Sequence, residues 1–204
     1  MLRLSSSLLA LVLFLGAFAP DAAAQWNRQR WTSGPEVMLG GGLNFCADNS
    51  DADCSGTDQG ALLTGSLGYR FSPSFGLYVD ADYGWLTPPS GIDESNTFDL
   101  FATARLFGAV SPHAELWGAA GWGYSRIMTE ASGMNASWAG LGNAKFGVGG
   151  AIEVAPRMFI GAALDYIFRF SGTGETCISG NCAANDGDIQ NAVHLSAFLK
   201  FRFQ

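Results

Sequence analysis

From Glu36 onward, apolar and polar side chains alternate with a period of two in eight runs separated by turn-forming residues. One parity of the first run carries Val37, Leu39, Gly41, Leu43 and Phe45, and the second carries Ala61, Leu63, Gly65, Leu67, Tyr69 and Phe71. The third carries Phe75, Leu77, Val79, Ala81, Tyr83 and Trp85, and the fourth Phe98, Leu100, Ala102, Ala104 and Leu106. The fifth is the least regular, with Leu116, Gly118, Ala120, Trp122 and Tyr124 as its better apolar face. Ala144 to Val154, Met158 to Phe168 and Val193 to Phe203 complete the set. The opposite parity holds Glu36, Arg70, Asp80, Asp82, Asp99, Arg105, Glu115, Lys145, Glu153, Asp165, Arg169, Lys200 and Arg202, seven acids and six bases. A strand sends successive side chains to opposite faces, so a slip of one residue would scatter these charges.

The punctuation between runs has its own order. Phe71-Ser72-Pro73-Ser74-Phe75, Val110-Ser111-Pro112-His113-Ala114 and Val154-Ala155-Pro156-Arg157-Met158 are short marks built on proline, which presets φ for a tight turn and cannot donate to a ladder. Between them lie polar stretches, 47–59, 87–97, 127–142 and 171–190, that read as long loops. Strand, loop, strand, turn repeated four times predicts an all-β fold, an eight-stranded antiparallel up-and-down barrel. Such a barrel either hides its apolar face inside, as a lipocalin does, or turns it outward to lipid. The uniformly apolar face, the near-balanced charges on the other, the aromatics near strand ends and the short-turn, long-loop asymmetry together predict the transmembrane version.

Composition fits that choice. Charged residues are 14% of the 204, against about 25% in an average soluble domain. There are 27 glycines, and 48% of residues are hydrophobic. The net charge of -7 and pI of about 4.6 argue against nucleic acid as a partner. Residues 1–24 read as a cleaved signal peptide: Arg3 supplies the positive start, Leu8 to Phe18 the apolar stretch, and Ala22-Ala23-Ala24 the small-residue cleavage site. The apolar run is too short for a spanning helix, and no later run reaches the 18 residues one needs. Residues 25–34 are expected to be a periplasmic N-terminal segment, in which basic, tryptophan-bearing Gln25-Trp26-Asn27-Arg28-Gln29-Arg30-Trp31 lies at a headgroup surface or forms a free tail. Residues 35–204 are expected to form the barrel.

The signal peptide, the eight alternating strands, the three proline turns and the terminal run Val193 to Phe203 resemble the small Gram-negative outer-membrane barrels of the OmpA/OmpX type, over essentially the whole mature chain. The resemblance is architectural. It implies a porin-like protein of the cell envelope, located in the outer membrane among outer-membrane lipid and lipopolysaccharide and inserted by the barrel-assembly machinery. Members usually end on an aromatic residue, whereas here Gln204 follows Phe203.

Four cysteines, Cys46, Cys54, Cys177 and Cys182, lie in or beside the first and last loops, and export favours disulfides. Cys46–Cys54 with Cys177–Cys182 closes two small loops, and pairing across the loops is the alternative. Asp48 to Asp53 with Asp58, and Asp186 with Asp188, are acidic loop segments. The first imitates the start of a calcium loop, but Leu62 stands where a bidentate Glu is needed, so a solvated loop is the expectation and no metal site is assigned. His194-Leu195-Ser196 has the His-x-Ser spacing of barrel lipid A deacylases. Alternation points both side chains inward, and no later strand follows to carry an acid. The expectation is therefore a non-enzymatic barrel without cofactor, its lumen plugged by charged side chains, with a structural role or a surface-interaction role through loops that meet an extracellular ligand. A barrel for hydrophobic-ligand binding or narrow transport is the alternative, and a lipid A-modifying enzyme the third reading.

Overall fold

The computed structural model describes residues 33–47, 58–87, 93–132, 134–170, 172–178, 181–185 and 191–203. Ten strands follow in chain order: β1 (Gly34–Cys46), β2 (Asp58–Ser72), β3 (Phe75–Thr87), β4 (Glu94–Ser111), β5 (Ala114–Ala131), β6 (Met134–Ala155), β7 (Met158–Phe168), β8 (Thr173–Ile178), β9 (Asn181–Asn185) and β10 (Ala192–Arg202). Eight close a barrel in the order β5-β4-β3-β2-β1-β10-β7-β6, with β6 paired back to β5 and every pairing antiparallel. Closure gives each of the eight barrel strands a neighbour on both sides, which pairs the backbone across the apolar band. Residues 1–32, including the expected signal peptide, lie outside the described residues.

Each proline mark is a two-residue turn, at 73–74, 112–113 and 156–157. A register shift accompanies each, at Arg70/Ser72, Ala109/Ser111 and Glu153/Ala155. Arg157 is the one described non-glycine residue with positive φ, 69°.

The opposite end differs from the sequence reading: 58–59, 87 and 94–97, read as loop, belong to β2, β3 and β4, and two larger differences follow. Residues 127–131 and 134–142 are strand rather than loop: β5 runs to Ala131, β6 begins at Met134, and the ladder continues to Ala131↔Met134. These strands have 18 and 22 residues against 11 in β7 and β10, so they carry roughly 24–37 Å of additional strand. The alternation that marks the wall is absent there, because strand extending beyond the apolar band has no lipid-facing side. Residues 171–190, also read as loop, contain the β8–β9 hairpin. β8 takes over from β7 as the partner of β6, from Met134↔Ile178 to Ala139↔Thr173.

The wall is inverted relative to a soluble protein. Leu39, Leu67, Val79, Leu106, Val148, Ile152 and Leu164 point outward, 48–66% exposed, while the alternate positions are buried and mostly polar. An apolar band running around a barrel requires a nonaqueous surround. Aromatic side chains edge it. At the turn end Tyr69 and Phe71 lie 5.0 Å apart and Phe71 and Phe75 6.2 Å. At the loop end Tyr83 packs on Trp85 at 4.7 Å, and Trp122 stacks on Phe170 at 6.4 Å. Along β3 the two edges, Phe75 and Trp85, are ten residues apart. That is about 34 Å of strand, or about 26 Å of height at a tilt of about 40°, close to the roughly 25 Å of a membrane barrel's apolar band.

Glycine makes room inside this wall. A Cβ on Gly149 would overlap the Trp117 ring, with Cε2 at 2.6 Å, and one on Gly76 would sit 2.8 Å from the Tyr78 ring. Gly149→Val is therefore expected to displace Trp117 and destabilise the barrel by about 1–3 kcal/mol. A lowered urea midpoint for the barrel refolded into lipid vesicles checks it, with Gly118→Val as control, since nothing lies within 4 Å of a Cβ there.

Candidate functional site

The buried charges meet in three layers inside the barrel. At the turn end, Glu36 from β1 and Glu115 from β5 face Arg70 from β2 and Lys200 and Arg202 from β10. Arg202 Nε donates to Glu36 Oε1 at 2.6 Å, and Tyr78 Oη donates to Glu36 Oε2 at 2.6 Å. Arg70 Nη1 donates to Glu115 Oε2 at 2.6 Å, and Lys200 Nζ donates to Glu115 Oε1. Arg70 also donates from Nε to Ser72 O at 3.3 Å and from Nη2 to Pro73 O, which ties the layer to the first turn. Aromatic faces sheathe the cations: the Arg70 guanidinium lies 3.9 Å from the Phe107 ring centre, and Lys200 Nζ 4.6 Å from that of Phe159. Cation–π contact partly replaces the water these groups have lost.

In the middle, three carboxylates converge on one ammonium. Lys145 Nζ from β6 lies 2.9 Å from Asp82, 3.5 Å from Asp80 and 3.5 Å from Asp165. Arg105 Nη2 from β4 donates to Asp80 Oδ1 at 2.7 Å and Ser66 Oγ at 3.1 Å. Thr64 Oγ1 donates to Asp82 Oδ1 at 2.5 Å. An interior cavity of about 20 Å³ lies beside this layer, lined in part by Arg105, Lys145 and Asp165. It has room for about one water molecule.

Nearer the loop end, Arg169 Nη2 donates to both oxygens of Asp99, at 3.1 and 3.0 Å. Asn44 Nδ2 donates to Thr97 Oγ1 at 3.2 Å. Where β6 passes from β7 to β8, side chains replace ladder bonds: Asn143 Oδ1 accepts from Phe170 N at 3.2 Å, and Asn191 Oδ1 from Arg169 N at 3.0 Å.

Taken by layer, the turn end holds two acids and three bases, the middle three acids and two bases, and the loop end one of each. Six acids thus face six bases, and the excesses of neighbouring layers have opposite sign. Glu153 is the one of the thirteen singled-out charges that stands apart. Its side chain is 23% exposed at the turn end, and its Oε2 lies 3.2 Å from His113 Nδ1.

The other sequence candidates fall as follows. Cys177 and Cys182 are joined by a disulfide. Cys46 is disulfide-bonded too, while Cys54 lies outside the described residues. Glu175 sits with Cys177 and Cys182 in one ligand-sized group, but sulfurs committed to a disulfide are not thiolate ligands. Asp48, Asp51, Asp53, Asp186 and Asp188 also lie outside the described residues. His194 and Ser196 are 1% and 6% exposed. The acid that chain order fails to provide comes from another strand, with Asp82 Oδ2 at 3.7 Å from His194 Nδ1.

Sequence reasoning missed the aromatic lining. Tyr78, Phe101, Phe107, Trp117, Phe159 and Phe198 are all buried inside. Their parity gives the signal, since each stands two residues from a lumen-facing charge or on the same alternation.

Removal of one buried partner should leave the others uncompensated. Glu115→Gln is expected to destabilise the barrel by about 3–5 kcal/mol, and Glu115→Gln with Lys200→Met by clearly less than the sum of the single changes. Urea titration of the vesicle-embedded barrel measures the coupling; additive effects would contradict it.

No family model matches the chain, and no curated protein matches it in sequence. Solved structures do. The chain is similar to the Neisserial surface protein A, at 13% identity and a TM-score of 0.62, over 84% of this chain and 99% of that one. It is similar to the outer membrane protein OprG of Pseudomonas aeruginosa, at 13% and 0.57, over 85% and 99%. It is also similar to Ail, the attachment invasion locus protein of Yersinia pestis, at 14% and 0.55, over 84% and 100%. The fold is that of the eight-stranded outer-membrane β-barrels, which agrees with the outward apolar band.

Proposed function

We propose that the chain is a non-enzymatic outer-membrane barrel whose lumen is closed and whose work is done by its protruding loop end, as a structural and surface-interaction protein. Residues 1–24 act as its export signal, and lipopolysaccharide surrounds the outer half of its wall. The observation that carries the reading is the set of ion pairs crossing the lumen. Arg70 to Glu115, Lys145 to Asp82 and Arg169 to Asp99 each join different parts of the wall, and an interior cavity beside them measures about 20 Å³. A hydrated solute needs a continuous water path, and three successive layers of side chains stand in the way. Burial of His194 and Ser196 inside the barrel likewise separates them from a lipid substrate.

In planar lipid bilayers the protein is expected to give no stable conductance, and Lys145→Ala with Arg105→Ala to give small, flickering openings. Large steady channels from the unaltered protein would overturn the closed lumen. Lipid A from cells expressing the protein should be the same with His194→Ala as without it; a change in acylation that depends on His194 would establish the enzyme.

The hydrophobic-ligand reading keeps one specific observation. β6 pairs with β7 up to Ala144↔Phe168 and with β8 from Ala139↔Thr173, so 140–143 have no ladder partner on that side. Leu141 and Phe170 beside this gap are 78% and 60% exposed. Quenching of Trp122 by a brominated fatty acid, abolished by Phe170→Ala, would favour it.

A further inference from the structure

We propose that the β8–β9 hairpin is a latent site for a thiophilic divalent cation of the Zn2+ kind, opened when a small-molecule thiol reduces the Cys177–Cys182 disulfide. The site goes beyond the surface-interaction reading and does not depend on it. Glu175, Cys177 and Cys182 place one carboxylate oxygen and two sulfurs within 4.8 Å of one another. The ladder sets this group. Glu175 and Cys177 stand two residues apart on β8 and so share a face, and Cys182 stands directly opposite Cys177 on β9. The same face continues onto β6, where Asn135 stands opposite Cys177 and Ser137 opposite Glu175. Directly opposed side chains have Cβ atoms about 4.5–5.5 Å apart, so the Asn135 amide and the Ser137 hydroxyl are oxygen donors next to the three ligands.

The donor set selects the ion. Two thiolates and a carboxylate suit tetrahedral Zn2+, with water or one of the β6 oxygens as fourth ligand. Calcium and magnesium, which take six or more oxygens, are poorly served. With Zn–S bonds of about 2.3 Å a tetrahedral ion holds two sulfurs roughly 3.8 Å apart, so the disulfide must open before the ion can enter. The backbone does not need the disulfide to keep the ligands together. β8 is laddered to β6 from Met134↔Ile178 to Ala139↔Thr173, and to β9 from Gly174↔Asn185 to Ile178↔Asn181. Ligands already gathered on one sheet face bind with less ordering cost.

The opening step has an accessible entry. Cys182 is exposed, whereas Cys177 is half-buried. The thiolate of a small thiol attacks the Cys182 sulfur, the S–S bond breaks, and Cys177 leaves as a thiolate. A second small thiol attacks the reductant's sulfur in the mixed disulfide and releases Cys182. One protein disulfide thus becomes two thiols while two small thiols become one disulfide. The ion then displaces the two thiol protons to solvent and bonds both sulfurs. Exposed Glu175 completes the donor set without moving from its face.

The test uses the full barrel in nanodiscs, carrying Cys46→Ser and Cys54→Ser so that Cys177–Cys182 is the disulfide that remains. Glutathione is the reductant, removed before Co2+ is added as a coloured probe for Zn2+. The oxidised barrel is expected to leave Co2+ in its pink aqueous form. The reduced barrel should take up one Co2+ per chain, with the intense visible bands of a tetrahedral ion and a thiolate charge-transfer band, both lost when Zn2+ is added. Glu175→Gln should weaken the uptake by at least about tenfold, since even outer-shell partners of a metal are worth that much. Cys177→Ser with Cys182→Ser should abolish it. Amide exchange at 174–178 should be the same before and after reduction. A disulfide that glutathione fails to open, a reduced barrel that takes up no Co2+, uptake indifferent to Glu175→Gln, uptake that survives loss of both cysteines, or a hairpin that loses its exchange protection on reduction would each overturn the proposal.

Discussion

The rest of the structure depends on the closure of an eight-stranded hydrogen-bonded ladder within a nonaqueous surround. Lipid offers no partner for an unpaired amide or carbonyl, so β5 must find β6 and the sheet must have no edge across the apolar band. Once the ring closes, the pleat divides every strand between two solvents. Leucine, valine and isoleucine take the outside because lipid accepts them. Charged residues are left the lumen, where they must be neutralised by one another.

That second requirement accounts for the composition of the interior. Six acids and six bases share a space too narrow for hydration shells, so each ion acquires a counterion, a hydroxyl or an aromatic face. Glycine at 76 and 149 admits the large rings of Tyr78 and Trp117 that fill the remaining volume. Aromatic rings and ion pairs therefore act together: the rings exclude water, and their π faces lower the cost of the cations that remain. A lumen built in this way is filled by side chains, while β4, β5 and β6 and the β8–β9 hairpin continue past the apolar band.

Much of this is legible in the sequence, and what is not has a physical cause. The register of the wall follows from alternation, because lipid and lumen impose opposite demands on neighbouring residues; Leu67 against Ser66 and Val79 against Asp80 show the contrast. The proline turns are legible because proline allows few alternatives. Strand at 127–131 and 134–142 is invisible to the same rule, since Ile127, Thr129, Trp138 and their neighbours stand beyond the apolar band, where hydrogen bonds continue but the period of two fades. The lumen charges can be placed on one face from parity alone, but their partners cannot. Lys145 meets Asp82 from a distant strand because barrel curvature brings β6 and β3 across from each other. His194 meets Asp82 for the same reason, whereas chain order suggests that it has no acid at all.

The central claim is the inversion of the wall, and a nitroxide scan along β3 in lipid vesicles tests it most directly. Spin labels placed singly from Gly76 to Tyr83 should show collision rates with dissolved oxygen that alternate, high at 77, 79, 81 and 83 and low at 76, 78, 80 and 82. The opposite phase, or no period of two, would contradict the account.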